Sequence, residues 1–325
     1  MIILLWAEGG KNIGSGHLNR VTDIYNLLKG DYNVKIYALE GDSMEFYKKT
    51  GIDIFEIKNL HKNDYILVSD LRYPEIYSEL LKDLSENSYK HISINDMGLA
   101  QRDADIIVDG HIKHFKEYKI NSSTDYYMGP EYFMLKTKFR HFNKVNRKLR
   151  KKGKKIYLTL GGWSRVEDLR YFSEILLRNG FKITLSWGFG KTNRERRLFR
   201  KQYPSIKIIT EKRYIPRKYY ETDITIAAGG ISYYEAASTG SPIIMFYKDK
   251  FQNFIVESLI EKGYGISAGE LSSFNKTDFL KLLDNYKYDY ELRKNHSLTG
   301  KQIVDGLGIY RFKKIIDNII LSVNK

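Results

Sequence analysis

Short apolar runs alternate with segments of helical spacing along most of the chain, and this alternation restricts the possible fold more than any other property of the 325 residues. The first series reads MIILLWA, a helix over 18–28, VKIYALE, a helix near 43–50, DIFEI, YILVSD, PEIYSELLKDL, HISIND and DIIVDG. Strand-length runs separated by helices of about ten residues predict a parallel sheet wound on both faces. The pattern stops at 121–150, a polar, aromatic and basic stretch read as the passage between domains. A second series then begins at KKIYLTLGG and continues through a helix over 166–179, FKITLSWG, a helix near 194–202, IKIIT, DITIAAGG, a helix over 233–239 and PIIMFY. The chain is long enough for two cores. The expected fold is α/β, with two Rossmann-like domains facing each other across a cleft and ligands gathered at the carboxyl ends of the strands.

Composition removes several chemistries. With no cysteine there are no disulfides, thiolate nucleophiles or cysteine-bound metals, which fits a reducing cytoplasm. The opening MIILLWA runs into an acidic residue and glycines without a basic start, so it reads as a buried strand and not as a secretory signal. No run reaches the roughly 18 apolar residues that a bilayer span needs. The net charge of +15 asks for an anionic partner, and much of it lies in RKLRKKGKK at 147–155 and KTNRERRLFRK at 191–201. Both runs read as solvated linker and helix faces. The 26 tyrosines do not cluster with them as a base-stacking platform would, so no nucleic acid is expected. The seven histidines show no metal-ligand spacing, and no metal is expected.

Three glycine loops are the candidates for chemistry. The first, EGGKNIGSGHLNR, puts Gly14, Gly16 and His17 just before a helix. Glycines let a backbone approach a ligand closely, and the unpaired N–H groups of a helix start suit phosphate. The same residues also suit an ordinary strand-to-helix turn. An imidazole at a helix start tends to stay neutral near pH 7 and so can accept a proton. His17 is therefore read either as a base for a water or an acceptor hydroxyl, or as a structural hydrogen bonder. The second loop, TLGGWSR, carries Gly161 and Gly162. The third, AAGGISYYEAASTGSPIIMF, carries Gly229, Gly230 and Ser232 at a helix start and Glu235 one turn in, where a carboxylate can take both ribose hydroxyls or simply complement the helix dipole.

Together these segments resemble the PseG/SpsG family, the UDP-sugar hydrolases of the pseudaminic acid pathway and their spore-coat polysaccharide relatives, over nearly the whole chain. GSGHLNR is similar to the family's G-x-G-H-x-x-R, HISINDMGLAQRDADIIVDGH to its I-D-D-x-A segment with the following D-x-x-x-N, and YMGPEYFMLKTKFR to its L-G-P-x-Y-x-L-L-R-x-x-F. TLGGWS matches F-G-G-S-D in part, AAGGISYYEAASTGSPII resembles A-G-G-S-S-x-W-E-x-x-x-x-G-x-P, and KFQNFIVESLIEKG resembles N-Q-x-x-x-A-x-x-L followed by glycine. The resemblance implies a GT-B fold. Its domains would be 1–145, on the sugar side, and 150–308, on the nucleotide side, with a helix at 309–325 returning to the first. It implies His17 as the catalytic residue and a UDP-sugar held by Gly14, Gly16, Arg20, Arg72, Asp96, Gly161, Gly162, Gly229, Gly230, Ser232, Glu235 and Gln252, with no cofactor.

The sequence departs from the family at three places. Arg72 stands where the family has a sugar-facing tyrosine, Asn95 where the first aspartate of I-D-D is usual, and Phe251 before Gln252 where an asparagine is usual. A guanidinium in place of a phenol suits an acidic sugar. The expected activity is metal-independent hydrolysis of a UDP-sugar of the 2,4-diacetamido-2,4,6-trideoxy-altropyranose type, in nonulosonic acid or surface-glycan biosynthesis. The alternative is a GT-B glycosyltransferase moving the sugar from UDP to a glycan or lipid-linked acceptor. The protein is expected in the cytoplasm, as a monomer or weak dimer without stable membrane insertion.

Overall fold

The computed structural model describes every residue except 12, 95–103, 115–121, 211–214 and 324–325. The chain divides into two compact units, one of residues 1–136 with 307–325 and one of residues 137–306.

Unit 1 carries strands β1 (Ile2–Ala7), β2 (Val34–Tyr37), β3 (Tyr65–Asp70), β4 (Lys90–Ile94), β5 (Ile106–Asp109) and β6 (Asp125–Met128). Its helices are α1 (Gly16–Leu28), α2 (Asp42–Thr50) and α3 (Ser78–Asn87). The strands form one parallel sheet in the order β2-β1-β3-β4-β5-β6. β1 and β3 are almost wholly buried, as central strands covered on both faces must be, and this is why β1 and the first four residues of β3 read as continuous apolar runs.

Unit 2 adds α4 (Thr137–Lys144), β7 (Lys155–Thr159), α5 (Val166–Arg178), β8 (Lys182–Ser186), α6 (Asn193–Gln202), β9 (Lys207–Ile209) and α7 (Ile215–Glu221). It continues with β10 (Ile224–Ala228), α8 (Gly230–Ser238), β11 (Ile243–Tyr247), α9 (Lys250–Glu261), β12 (Ile266–Glu270), α10 (Lys276–Tyr288) and α11 (Tyr290–Ile303). Its parallel sheet runs β12-β11-β10-β7-β8-β9. One face packs on Phe172, Phe246 and Phe279, whose rings meet edge-on or tilted at 5.1–5.6 Å. The last helix, α12 (Gly308–Val323), packs on unit 1, where Lys313 pairs with Asp31 and Asp317 accepts from the Tyr32 hydroxyl.

Strand order sets where ligands can bind. In unit 1 the chain steps from β1 outward to β2 and then returns to place β3 on the other side of β1. In unit 2 it steps from β7 to β8 and β9 and then places β10 on the other side of β7. At each reversal the loops leaving two neighbouring strands diverge, and a crevice opens at their carboxyl ends. The loops in question are those after β1 and β3, and those after β7 and β10.

Two expectations about elements are corrected. DIFEI is not a strand; only Ile54 bridges to Ile36, at the outer edge of β2, and Ile57–Asn59 turn into a 3-10 helix. The 121–150 stretch is not simply a passage. It contains the edge strand β6 and helix α4, and DYYM is exposed or half-buried throughout, so the edge strand forms without an apolar run.

Candidate functional site

The loop after β1 folds back on itself before α1 begins. Gly10 and Gly14 exchange backbone hydrogen bonds of 3.1 and 2.7 Å, and Gly14 sits at a φ of 92°, a left-handed conformation that favours glycine. This turn starts α1 at Gly16, so His17 lies at its second position and Arg20 follows three residues later on the same side.

Both side chains converge on Asp70, the last residue of β3, which pairs in register with Ala7 of β1. Asp70 is completely buried. Its Oδ1 accepts from His17 Nδ1 at 2.6 Å, while the Arg20 guanidinium grips both oxygens, Nε to Oδ2 at 2.6 Å and Nη2 to Oδ1 at 2.7 Å. Burial alone would favour the neutral acid, but Arg20 and then His17 outweigh it and hold the Asp70 carboxyl well below the usual carboxylate range. An ionised carboxylate only accepts, so the imidazole carries its proton on Nδ1 and its lone pair on Nε2. Arg20 Nη2 also lies 3.2 Å from Nδ1, but that nitrogen's proton is committed to Asp70.

The His17 pKa is lowered. Burial is the largest cause, Asp70 opposes it, and the cations of Arg20 and Arg72 add to the depression. The helix start, taken alone from sequence, was therefore not the main reason for a neutral ring. The side chain keeps 17% of its surface exposed, enough for a ligand to reach it. The arrangement is a base held by a buried carboxylate, able to take a proton from an O–H at Nε2.

Unit 2 gathers its glycines in the same way. Gly161 follows β7 at a φ of 90°, and Gly229 follows β10 at 134°. A Cβ on Gly161 would stand 3.3 Å from the Ala228 carbonyl oxygen, a tight contact that glycine avoids where the two loops pass each other. Gly229 spends its N–H on the Tyr233 hydroxyl, at 3.0 Å, which leaves the first-turn N–H groups of α8, from Gly230 onward, as the donors without intrahelical partners. Because α8 begins at Gly230, three residues earlier than its periodicity suggested, Ser232 falls within the first turn. The Glu235 carboxylate accepts from the Tyr219 hydroxyl at 2.8 Å. Gln252 accepts from the Lys248 backbone N–H at 3.1 Å, so it braces the turn after β11.

Sequence reasoning overlooked three residues here. Asp70 is the first; the signal was a carboxylate closing the otherwise apolar strand YILVSD. The others are Lys191 and Lys248. Lys248 donates to the Leu160 carbonyl at 2.7 Å and Lys191 to that of Gly162 at 3.4 Å, so two ammonium groups flank the Gly161–Gly162 turn. Neither forms an ion pair among the described residues. Burial first and Lys248 second bring the Lys191 pKa down to about 8, against the opposing pull of Glu195 and Asp168, and desolvation lowers that of Lys248 as well. Lys191 belongs to a run read as a solvated helix face, yet it precedes α6 and is half-buried.

Of the other expected residues, Arg72 stands two positions beyond Asp70, while Asp96 and its neighbour Asn95 lie outside the described residues. At the end of β5, buried Asp109 accepts from Nδ1 of both His111 and His114, at 2.7 and 2.9 Å. Among the described residues no group of three or more His, Cys, Asp or Glu is arranged to hold a metal ion. No described helix is long and apolar enough to cross a membrane.

No protein-family profile matches the chain. The protein MJ1062 of Methanocaldococcus jannaschii is 24% identical over 97% of this chain and 68% of its own. SpsG of Bacillus subtilis, a spore coat polysaccharide biosynthesis protein, is 23% identical over 98% of both chains. The chain is thus similar to SpsG along nearly its whole length. MurG of Acinetobacter baumannii, a GT-B glycosyltransferase, matches it in structure with a TM-score of 0.66 at 14% identity, over 98% of this chain and 99% of that one. The fold is accordingly that of the GT-B glycosyltransferases. In this chain the GSGHLNR segment supplies both His17 and Arg20, the two side chains that hold Asp70.

Proposed function

We propose that the chain is an enzyme that transfers a glycosyl group from a UDP-sugar to an acceptor hydroxyl, in the assembly of a polysaccharide or surface glycan. The observation that carries this reading is the His17–Asp70–Arg20 cluster, a neutral imidazole fixed by a buried, ionised carboxylate at the strand-order reversal of unit 1. Nε2 of His17 takes the acceptor proton as its oxygen bonds to the anomeric carbon. The bond from that carbon to the β-phosphate oxygen breaks, and UDP departs with the electron pair. Within unit 2, Lys191, Lys248 and the first-turn N–H groups of α8 are suited to hold the charge of a diphosphate. Glu235, steadied by Tyr219, takes the ribose hydroxyls.

The likeness to SpsG and to a GT-B glycosyltransferase weighs toward transfer, so hydrolysis becomes the second reading. What favours it is that the resemblance at GSGHLNR is to UDP-sugar hydrolases, and a base that accepts a proton from a hydroxyl accepts one equally from water. A panel of UDP-sugars, including the 2,4-diacetamido-2,4,6-trideoxy-altropyranose donor, with and without glycan and lipid-linked acceptors, tests both. UDP formed only with acceptor marks transfer; UDP and free sugar formed in equal amounts without acceptor mark hydrolysis. If no donor releases UDP in either format, both readings fail.

Three smaller effects follow from the site. The kcat/KM profile is expected to be bell-shaped. Activity rises with pH as His17 loses its proton, with a midpoint below 6.5, and falls as Lys191 loses its charge near pH 8. Lys191→Ala should lower kcat/KM roughly 10–100-fold, the worth of one charge-assisted hydrogen bond, and remove the alkaline limb while leaving the acid limb in place. Glu235→Ala should raise KM about tenfold with kcat nearly unchanged, since the ribose contact is the same in ground and transition states; steady-state kinetics on the donor would show it.

A further inference from the structure

The opposite edge of the unit 2 sheet carries a second concentration of positive charge. Lys155, Lys182 and Lys207 are the first residues of β7, β8 and β9, three neighbouring strands. Lys155 stands in register with Lys182, and Lys207 with Thr184, two residues further along the same face. Adjacent strands are about 4.8 Å apart, so like charges are set side by side where they repel. These lysines, with Lys148, border an open groove of about 870 Å³ between the strand starts and α7. None of the four forms an ion pair among the described residues, whereas the groove's other cations are matched, Arg150 by Asp223 and Lys218 by Glu221.

Hydrogen bonds tie down the backbone of the walls. Buried Asp223 accepts from the backbone N–H groups of Lys154 and Lys155 at 2.9 and 2.8 Å. The Arg147 guanidinium ties the incoming segment to the Tyr219 and Thr222 carbonyls at the end of α7. Uncompensated cations around a concave site focus a field that a flat solvated surface would disperse.

We propose that this groove binds a compact ligand bearing two or more phosphate groups. The volume suits a small molecule. None of the exposed large apolar side chains of the described residues lines it, as a membrane-docking face would require, and Tyr220 is its one aromatic lining residue, too few for a stacked nucleic acid. The site is separate from the proposed UDP-sugar site, whose residues follow the strand ends, and it does not depend on that reading.

Calorimetric titration of the full chain with tripolyphosphate at fixed ionic strength tests the inference, using the Lys191→Ala/Lys248→Ala variant to silence the other anion-facing cluster. Saturable binding is expected to persist in that background and to weaken at least tenfold when Lys155→Ala and Lys182→Ala are added. Lys182→Glu, which sets an acid beside Lys155, is expected to raise the melting temperature of the free protein while abolishing binding. Equal affinity for tripolyphosphate and ATP would assign recognition to the phosphate chain, and tighter ATP binding would assign it to a nucleotide; both uphold the proposal. Binding indifferent to Lys155 and Lys182, or lysine-dependent binding of single-stranded RNA or phosphatidylserine vesicles that tripolyphosphate cannot displace, would overturn it.

Discussion

His17→Ala is expected to reduce UDP formation about 10²–10⁴-fold at neutral pH, the usual worth of a positioned general base, and to leave the affinity for UDP within about twofold. The loss falls on kcat because Nε2 accepts a proton only as the new bond forms. The fold should survive. His17 is the most exposed member of its cluster, and without it Asp70 keeps both bonds from Arg20, so no buried charge is left unmatched. The acid limb of the pH profile should disappear with the ring, since the residual reaction has no group titrating below 6.5 in that role. His17→Gln separates chemistry from packing: it can still donate to Asp70 but cannot take up a proton, and it should be as slow as alanine. A variant that retained wild-type UDP release in the acceptor-dependent assay would remove the imidazole from the reaction altogether.

How much of this was legible in the sequence depends on whether a signal is local. β1, β3 and β10 are almost wholly enclosed strands, and IILLWA, YILVSD and ITIAA announce that by their largely apolar character. The glycine loops were visible for a related reason: positive-φ positions such as Gly14, Gly161 and Gly229 need that residue, so the turn writes itself into the chain. β6 was not visible, because a four-residue edge strand with no fully buried residue leaves no apolar run to find. The Asp70–His17 contact was hidden for a different reason. Its partners are 53 residues apart, and nothing in either segment says that β3 lies beside β1 until the strand order is known. Lys191 was masked by its neighbours. In KTNRERRLFRK one basic residue looks like the next, and only the fold turns residue 191 toward the Gly162 carbonyl while Arg194 and Arg197 stay on α6.

The second large effect is expected at Asp70, where one side chain serves both stability and chemistry. Asp70→Asn keeps the size of the residue but not its bonding. If the amide oxygen faces His17 and Arg20 Nη2, the NH₂ group meets Arg20 Nε–H, donor against donor; if the amide is flipped, the NH₂ meets Arg20 Nη2 and forces His17 Nδ1 to become the acceptor. In either orientation a buried guanidinium loses its counter-charge, and breaking such a pair from one side costs about 3–5 kcal/mol. For a unit of this size that corresponds to a fall in melting temperature of about 10 °C, to be read by calorimetry as an earlier transition of unit 1. The flipped orientation also moves the imidazole proton to Nε2, so the ring offers an acceptor hydroxyl a donor instead of a lone pair, and turnover should fall about 10³–10⁴-fold, as it does when a buried carboxylate–histidine pair is given the wrong tautomer. The two losses are separable. Arg20→Met, which removes the cation, should destabilise the unit comparably while leaving Asp70 to hold His17 in its working tautomer. Its kcat, measured below its own melting temperature, should stay well above that of Asp70→Asn. Equal kcat losses in the two variants would reduce Asp70 to a structural partner of Arg20 and leave His17 without the carboxylate that makes it a base.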